Sequence, residues 1–219
     1  MKGAVLDGTD DAEHAALEDI SFPNAMRSAA FWVFAVASSL FGLVYSGIAL
    51  FNQSILEERG FDAETYYQVL VISTMVGLAA NFGGGLLATR VPIQRVMGIG
   101  MAILAAALLL LPGVETMRGV MAYAVTMGAA GGVVTVVFFS VWGQVFGRGH
   151  LGRIQGAAQM MTVFASAVGP LLLASAIEQT GSYNSMFYAL AGAVVVLGVA
   201  CWVVTLPARQ PWREAAARP

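Results

Sequence analysis

The chain has 219 residues, of which 58% are hydrophobic and only 11% charged, and its mean hydropathy is +0.74. A composition this apolar excludes a water-soluble globular domain and makes lipid the expected solvent. The net charge of -2 gives no basic excess for nucleic-acid binding, and one cysteine, Cys201, can form neither an intrachain disulfide nor a metal cluster.

Residues 1–27 read as an acidic cytoplasmic tail, with Asp7, Asp10, Asp11, Glu13, Glu18 and Asp19 and no apolar core for a secretory signal. Six apolar runs follow at about 28–54, 66–89, 94–113, 119–146, 154–177 and 184–206, each long enough to cross a bilayer as a helix. Charged or turn-forming breaks separate them: Glu57-Glu58-Arg59-Gly60, Arg90-Val91-Pro92, Pro112-Gly113, Gly147-Arg148-Gly149 and Thr180-Gly181-Ser182. The expected fold is all-α, a six-helix transmembrane bundle over 28–207 followed by a cytoplasmic tail at 208–219. A β-barrel is excluded, because the runs are far longer than a barrel strand and lack alternation.

Six alternating spans sort the basic residues. Lys2, Arg27, Arg90, Arg95, Arg148, Arg153, Arg209, Arg213 and Arg218 share one side, and only Arg59 and Arg118 lie on the other. Cytoplasmic segments are enriched in Lys and Arg, so both termini are expected in the cytoplasm and the chain in the cytoplasmic (inner) membrane as a multi-pass protein.

No span carries an ionisable residue at its centre, and both histidines, His14 and His150, lie outside the spans. An intramembrane Ser/His dyad or a histidine-ligated metal therefore has nothing to be built from, so neither an enzyme, a metal site nor a cofactor is expected. Uncharged polar and aromatic residues remain. In the first span Ser38, Tyr45 and Asn52 recur every seven residues, with Gln53 beside them; in the second, Ser73, Gly77, Asn81 and Gly84 share a face. The fourth offers Thr135, Phe139 and Trp142, and the fifth Gln155, Gln159, Thr162 and Ser166. Four such faces suggest a shared polar cavity, although each residue alone equally suits a packing hydrogen bond. Gly83, Gly84, Gly85, Gly128, Gly131, Gly132, Gly156 and Gly169 suit close helix contacts, and Pro170 invites a kink in the fifth span.

Three segments carry a family resemblance: NAMRSAAFWVF entering the first span, GGGLLATRVPIQRV between the second and third, and FGRGHLGRIQGAAQ with AVGPLLLASAIEQTGSY around the fifth. Over about 24–207 the chain resembles the C-terminal six-helix half of a major facilitator superfamily transporter, similar to the bacterial oxalate and monocarboxylate branch. That resemblance implies an inverted three-plus-three repeat, with spans one and four lining the cavity, two and five forming the rocking interface, and three and six facing lipid. It implies alternating access for a small-molecule substrate in partnership with an N-terminal six-helix half, or less favourably a second copy of the chain. On this reading Tyr45, Asn52, Gln53, Asn81, Thr135, Phe139, Trp142 and Gln159 line the cavity, while Gly85, Arg90, Arg95, Arg153, Gly169 and Pro170 belong to the gating and loop motifs. Thr89 replaces the loop motif's Asp and Pro92 its Gly, so the charge contact that holds one gate state in the family does not carry over, and Gly77 and Asn81 stand where related monocarboxylate carriers place charged residues, so carboxylate and proton coupling does not carry over either. The alternative function is a six-span membrane scaffold or subunit that does not transport.

Overall fold

The computed structural model describes residues 19–207, so residues 1–18 of the expected tail at 1–27 and all of the expected tail at 208–219 lie outside the described residues. A short leading helix, Phe22–Arg27, precedes six helices long and apolar enough to span a membrane. They are α1 (Ala29–Glu57), α2 (Ala63–Ala88), α3 (Ile93–Leu110, extended by a 3-10 turn at Leu111–Gly113), α4 (Met117–Phe146), α5 (Leu151–Thr180) and α6 (Asn184–Val203). No strand occurs among the described residues.

The helix ends follow from local chemistry. Ser28 Oγ accepts from Phe31 N at 3.2 Å, Asp62 Oδ1 from Thr65 N at 2.9 Å, and Thr116 Oγ1 from Gly119 N at 3.3 Å, so three spans start on a side-chain cap. Gly60 and Gly181, at φ 81° and 70°, supply the left-handed turns after α1 and α5. Polarity alone misses such ends: α2 and α5 each begin three residues before their apolar runs, because their first turns are capped or solvated rather than apolar.

Packing follows an exchange pattern. α1 lies along α5, α2 along α4 and α3 along α6, with α3 also against α4 and α6 against α1. Exchanging the first three helices with the last three maps α1·α5 onto α2·α4, α3·α4 onto α1·α6 and α3·α6 onto itself. Three helices per repeat reverse the chain direction between repeats, so the arrangement is an inverted three-plus-three bundle.

The two long seams are closed by glycine. A Cβ at Gly128 would overlap Ser73 O, and one at Gly132 would overlap Gly77 O, so α2 and α4 meet backbone to backbone. On the α1·α5 seam a Cβ at Gly169 would overlap Leu43 O, and one at Gly47 would lie 3.0 Å from Gly169 O. Pro170 follows directly, yet α5 continues through it without a break. The proline has no N–H to give Ser166 O; Ser46 Oγ of α1 donates to that carbonyl instead, at 2.7 Å. By contrast, nothing lies within 4 Å of a Cβ at Gly83 or Gly156, so these two glycines do not serve the expected close approach.

α2 and α5 are the least enclosed helices, with 11% and 17% of their most apolar 18-residue windows buried. α3 is wedged between α4 and α6, burying Val96, Met97, Met101, Leu104 and Leu108, and keeps an outer apolar stripe of Ala102, Ala106, Leu109 and Leu110 exposed. α6 does present an apolar outer face, at Val195, Val196, Val199, Trp202 and Val203.

Candidate functional site

The open face between α1 and α4 collects several of the expected lining residues. Tyr45 stacks on Phe41 with centroids 5.5 Å apart, and both rings lie over Gly131 of α4, at 4.0 and 3.8 Å from the position of its absent Cβ. Thr135 and Phe139 follow Gly131 at steps of four, on the same exposed face of α4. The surface is aromatic, with hydroxyls at Tyr45 and Thr135. Gln159 is exposed on α5.

Other expected lining residues are placed differently. Trp142 is fully enclosed, ringed by Phe31, Phe34, Phe138 and Phe146 at centroid distances of 5.6 to 6.5 Å, and so belongs to the core rather than to an accessible cavity. Its helical spacing after Thr135 and Phe139 made it read as lining, but an indole at a helix crossing gains most by filling the gap. Asn52 is also buried, and its Oδ1 accepts from Tyr123 OH at 3.3 Å. Gln53 is exposed near the end of α1, where its Nε2 donates to Glu57 Oε1 at 2.8 Å. Asn81 is half-buried in the α2·α4 seam, its backbone beside Gly132. Half of the polar stripe on α5 is used in packing: Thr162 Oγ1 lies 3.5 Å from Ser39 Oγ, and Ser166 fits against Gly42 of α1.

Two polar residues escaped the sequence reading. Tyr123 was hidden because a lone tyrosine in an apolar run carries no positional signal. Arg59 was assigned to a loop, yet it ties three segments together at one end of the bundle. Its Nε donates to Leu111 O at 2.9 Å, Nη1 to Ile55 O at 2.7 Å and Nη2 to Asn184 Oδ1 at 2.9 Å, with Glu58 Oε2 at 3.8 Å. Burial lowers its pKa and Glu58 partly offsets this; the guanidinium stays charged.

The opposite end carries the loop-motif residues. Arg90 and Arg95 are exposed at the α2–α3 turn, and a Cβ at Gly85 would meet Val136 at 3.7 Å. Arg153 stands over the Phe22 ring at 5.3 Å. Beside it, Asp19 accepts from Arg148 N at 3.2 Å and Gly149 N at 2.7 Å, while Ile20 N donates to Phe146 O at 2.9 Å. The segment leading into α1 is thereby clasped to the α4–α5 turn. Among the described residues no group of His, Cys, Asp or Glu could hold a metal.

The family model described as Major Facilitator Superfamily matches residues 25–219. Monocarboxylate transporter 13 of Bos taurus is 29% identical over 157 residues, covering 69% of this chain and 36% of that relative. The chain therefore spans well under half the length of the curated relative it matches.

Proposed function

The chain belongs to the major facilitator superfamily, and from that premise we propose that it is one six-helix half of a carrier for small solutes, working by alternating access against an N-terminal half. The observation that carries this reading is the uneven enclosure of the spans. α2 and α5 are apolar yet least buried, exposing Leu70, Met75, Leu78 and Phe82 on one helix and Val163, Phe164 and Leu171 on the other. In a bundle with this exchange pattern, those helices are where a second bundle would rock. The solute path would run along the Tyr45, Thr135 and Phe139 face, with Gln159 at its margin. Asn52 and Asn81 would support that wall from behind, and Gln53 would sit near its outer end. The cytoplasmic side would be the end bearing Arg90, Arg95 and Arg153.

With no charged side chain at the centre of a span, this half would recognise solute by hydrogen bonding and aromatic contact. Any charge-coupled step would fall to the other half. The similarity to a protein named a monocarboxylate transporter makes small monocarboxylates the first probes.

The test is uptake of radiolabelled monocarboxylates and uncharged solutes into proteoliposomes, with the chain alone and with a superfamily N-terminal half. Uptake only in the pair, lost in Thr135→Leu or Gln159→Leu, is the expected outcome. Full-rate uptake by the chain alone would overturn the half-carrier reading, and lining substitutions without effect in an active pair would favour a scaffold.

A further inference from the structure

The contacts of α1 change partner along its length. Its middle belongs to the α5 seam, where Ser39 faces Thr162 and Ser46 reaches the freed carbonyl of Ser166. From Phe51 onward its polar and ring contacts go elsewhere. Phe51 lies against the Tyr183 ring at 5.9 Å, Asn52 accepts from Tyr123 of α4, and Ser54 Oγ is 3.4 Å from Tyr183 OH at the start of α6. The exposed face that carries Tyr45, Ala49 and Gln53 at steps of four runs through this change of partner.

Arg59 stands at the end of that series. Its side chain is only 9% exposed. Its three hydrogen bonds run to the last turn of α1 at Ile55 O, the end of α3 at Leu111 O and the first residue of α6 at Asn184 Oδ1. Two of these acceptors are carbonyls at helix C-terminal ends, where acceptors outnumber donors and carry partial negative charge. Glu58, at 3.8 Å, is the only carboxylate within ion-pair distance of Arg59 among the described residues. A buried cation held chiefly by neutral acceptors is costly, so filling this gap for its own sake would be served better by an apolar side chain.

We propose that Arg59 is a positioning residue for solute binding: it pins the far half of α1 to α3 and α6, so that Tyr45 and Gln53 keep their place relative to Thr135 of α4. The planar fork of the guanidinium is what this requires. A lysine ammonium keeps the charge but cannot hold the three acceptors at once. Without the pin the last turns of α1 sample other positions, and solute binds only the fraction of chains whose wall is in place. Apparent affinity then falls by that fraction. None of the hydrogen-bond partners of Arg59 is on α2 or α5, so the rocking surfaces and the turnover of bound solute are unaffected. The effect on solute rests on the carrier reading above; the pinning of α1 does not.

Hydrogen exchange of the full chain in nanodiscs tests the pinning, and uptake by the chain paired with a superfamily N-terminal half tests its consequence. In the unaltered chain the amides of 51–57 should be protected as well as those of 43–47, although helix ends ordinarily fray. That comparison needs no variant to fold. Arg59→Lys and Arg59→Met should each speed exchange over 51–57 by roughly tenfold and leave 43–47 and α2 unchanged. Asn184→Ala removes one acceptor and keeps the charge, so it should give the same local pattern in smaller measure. In an active pair Arg59→Lys should raise KM about fivefold to tenfold with kcat held within about twofold. Rapid exchange of 51–57 in the unaltered chain, acceleration spread evenly over the bundle in the variants, or a fall in kcat at unchanged KM would overturn the assignment. A pair that is inactive with Arg59 intact would count against the carrier reading, and the exchange pattern would still decide the pinning.

Discussion

At the scale of single residues, the structure separates polar groups that hold helices together from those left open. Asn52 and Tyr123 form a buried pair between α1 and α4. Tyr123→Phe should strand the Asn52 carboxamide and destabilise the bundle by about 1 kcal/mol, measured by unfolding in detergent. Adding Asn52→Leu to that variant should recover part of the loss, because no orphaned polar group then remains. Asp62 gives a pH prediction of known sign. The Thr65 backbone N–H and then its hydroxyl hold the carboxylate below its ordinary pKa. Its cap on α2 is therefore fully present above the unfolded carboxylate pKa and is lost as pH falls through the lower folded value. Hydrogen exchange in the first turn of α2 should accelerate over that acid range in the unaltered chain, and Asp62→Asn should remove the dependence.

Between elements, the seams decide which glycines matter. Gly132→Ala and Gly169→Ala each place a methyl into backbone of the facing helix, at an expected cost of about 1 to 3 kcal/mol, readable as a lower midpoint of unfolding. Gly156→Ala, on an open face of the same α5 helix, should be neutral or slightly stabilising. All three are glycines in apolar runs, so the sequence gives them equal standing. Pro170 carries the same lesson. Its missing N–H signals a kink when α5 is considered alone, but Ser46 of the neighbouring helix satisfies the freed carbonyl. Ser46→Ala should thus loosen α5 around residue 166, seen as faster hydrogen exchange there, without disturbing α2 and α4.

For the molecule as a whole, the testable property is which end faces which compartment. Cysteines replacing Arg90 and Arg153 should be labelled by an impermeant maleimide from the same side, and one replacing Arg118 from the other, in a Cys201→Ser background. Labelling of Arg90 and Arg153 positions from opposite sides would sink the topology and the carrier reading with it.

The number of spans and their order were legible in the amino acids, because a helix in lipid needs about twenty apolar residues in a row whatever surrounds it. The positive-residue sorting and the superfamily motifs depend on local chemistry in the same way. Which face of each span is open was not legible. Tyr45, Thr135 and Phe139 remain on an accessible face, whereas Trp142 and Asn52, chosen by the same periodicity, are enclosed. Nor could the clamp at Arg59 or the clasp at Asp19 be read, since their partners lie up to 125 and 130 positions away along the chain. Lipid is as apolar as a helix interior, so hydropathy gives the same value to a residue facing either; only the neighbouring helices distinguish the two.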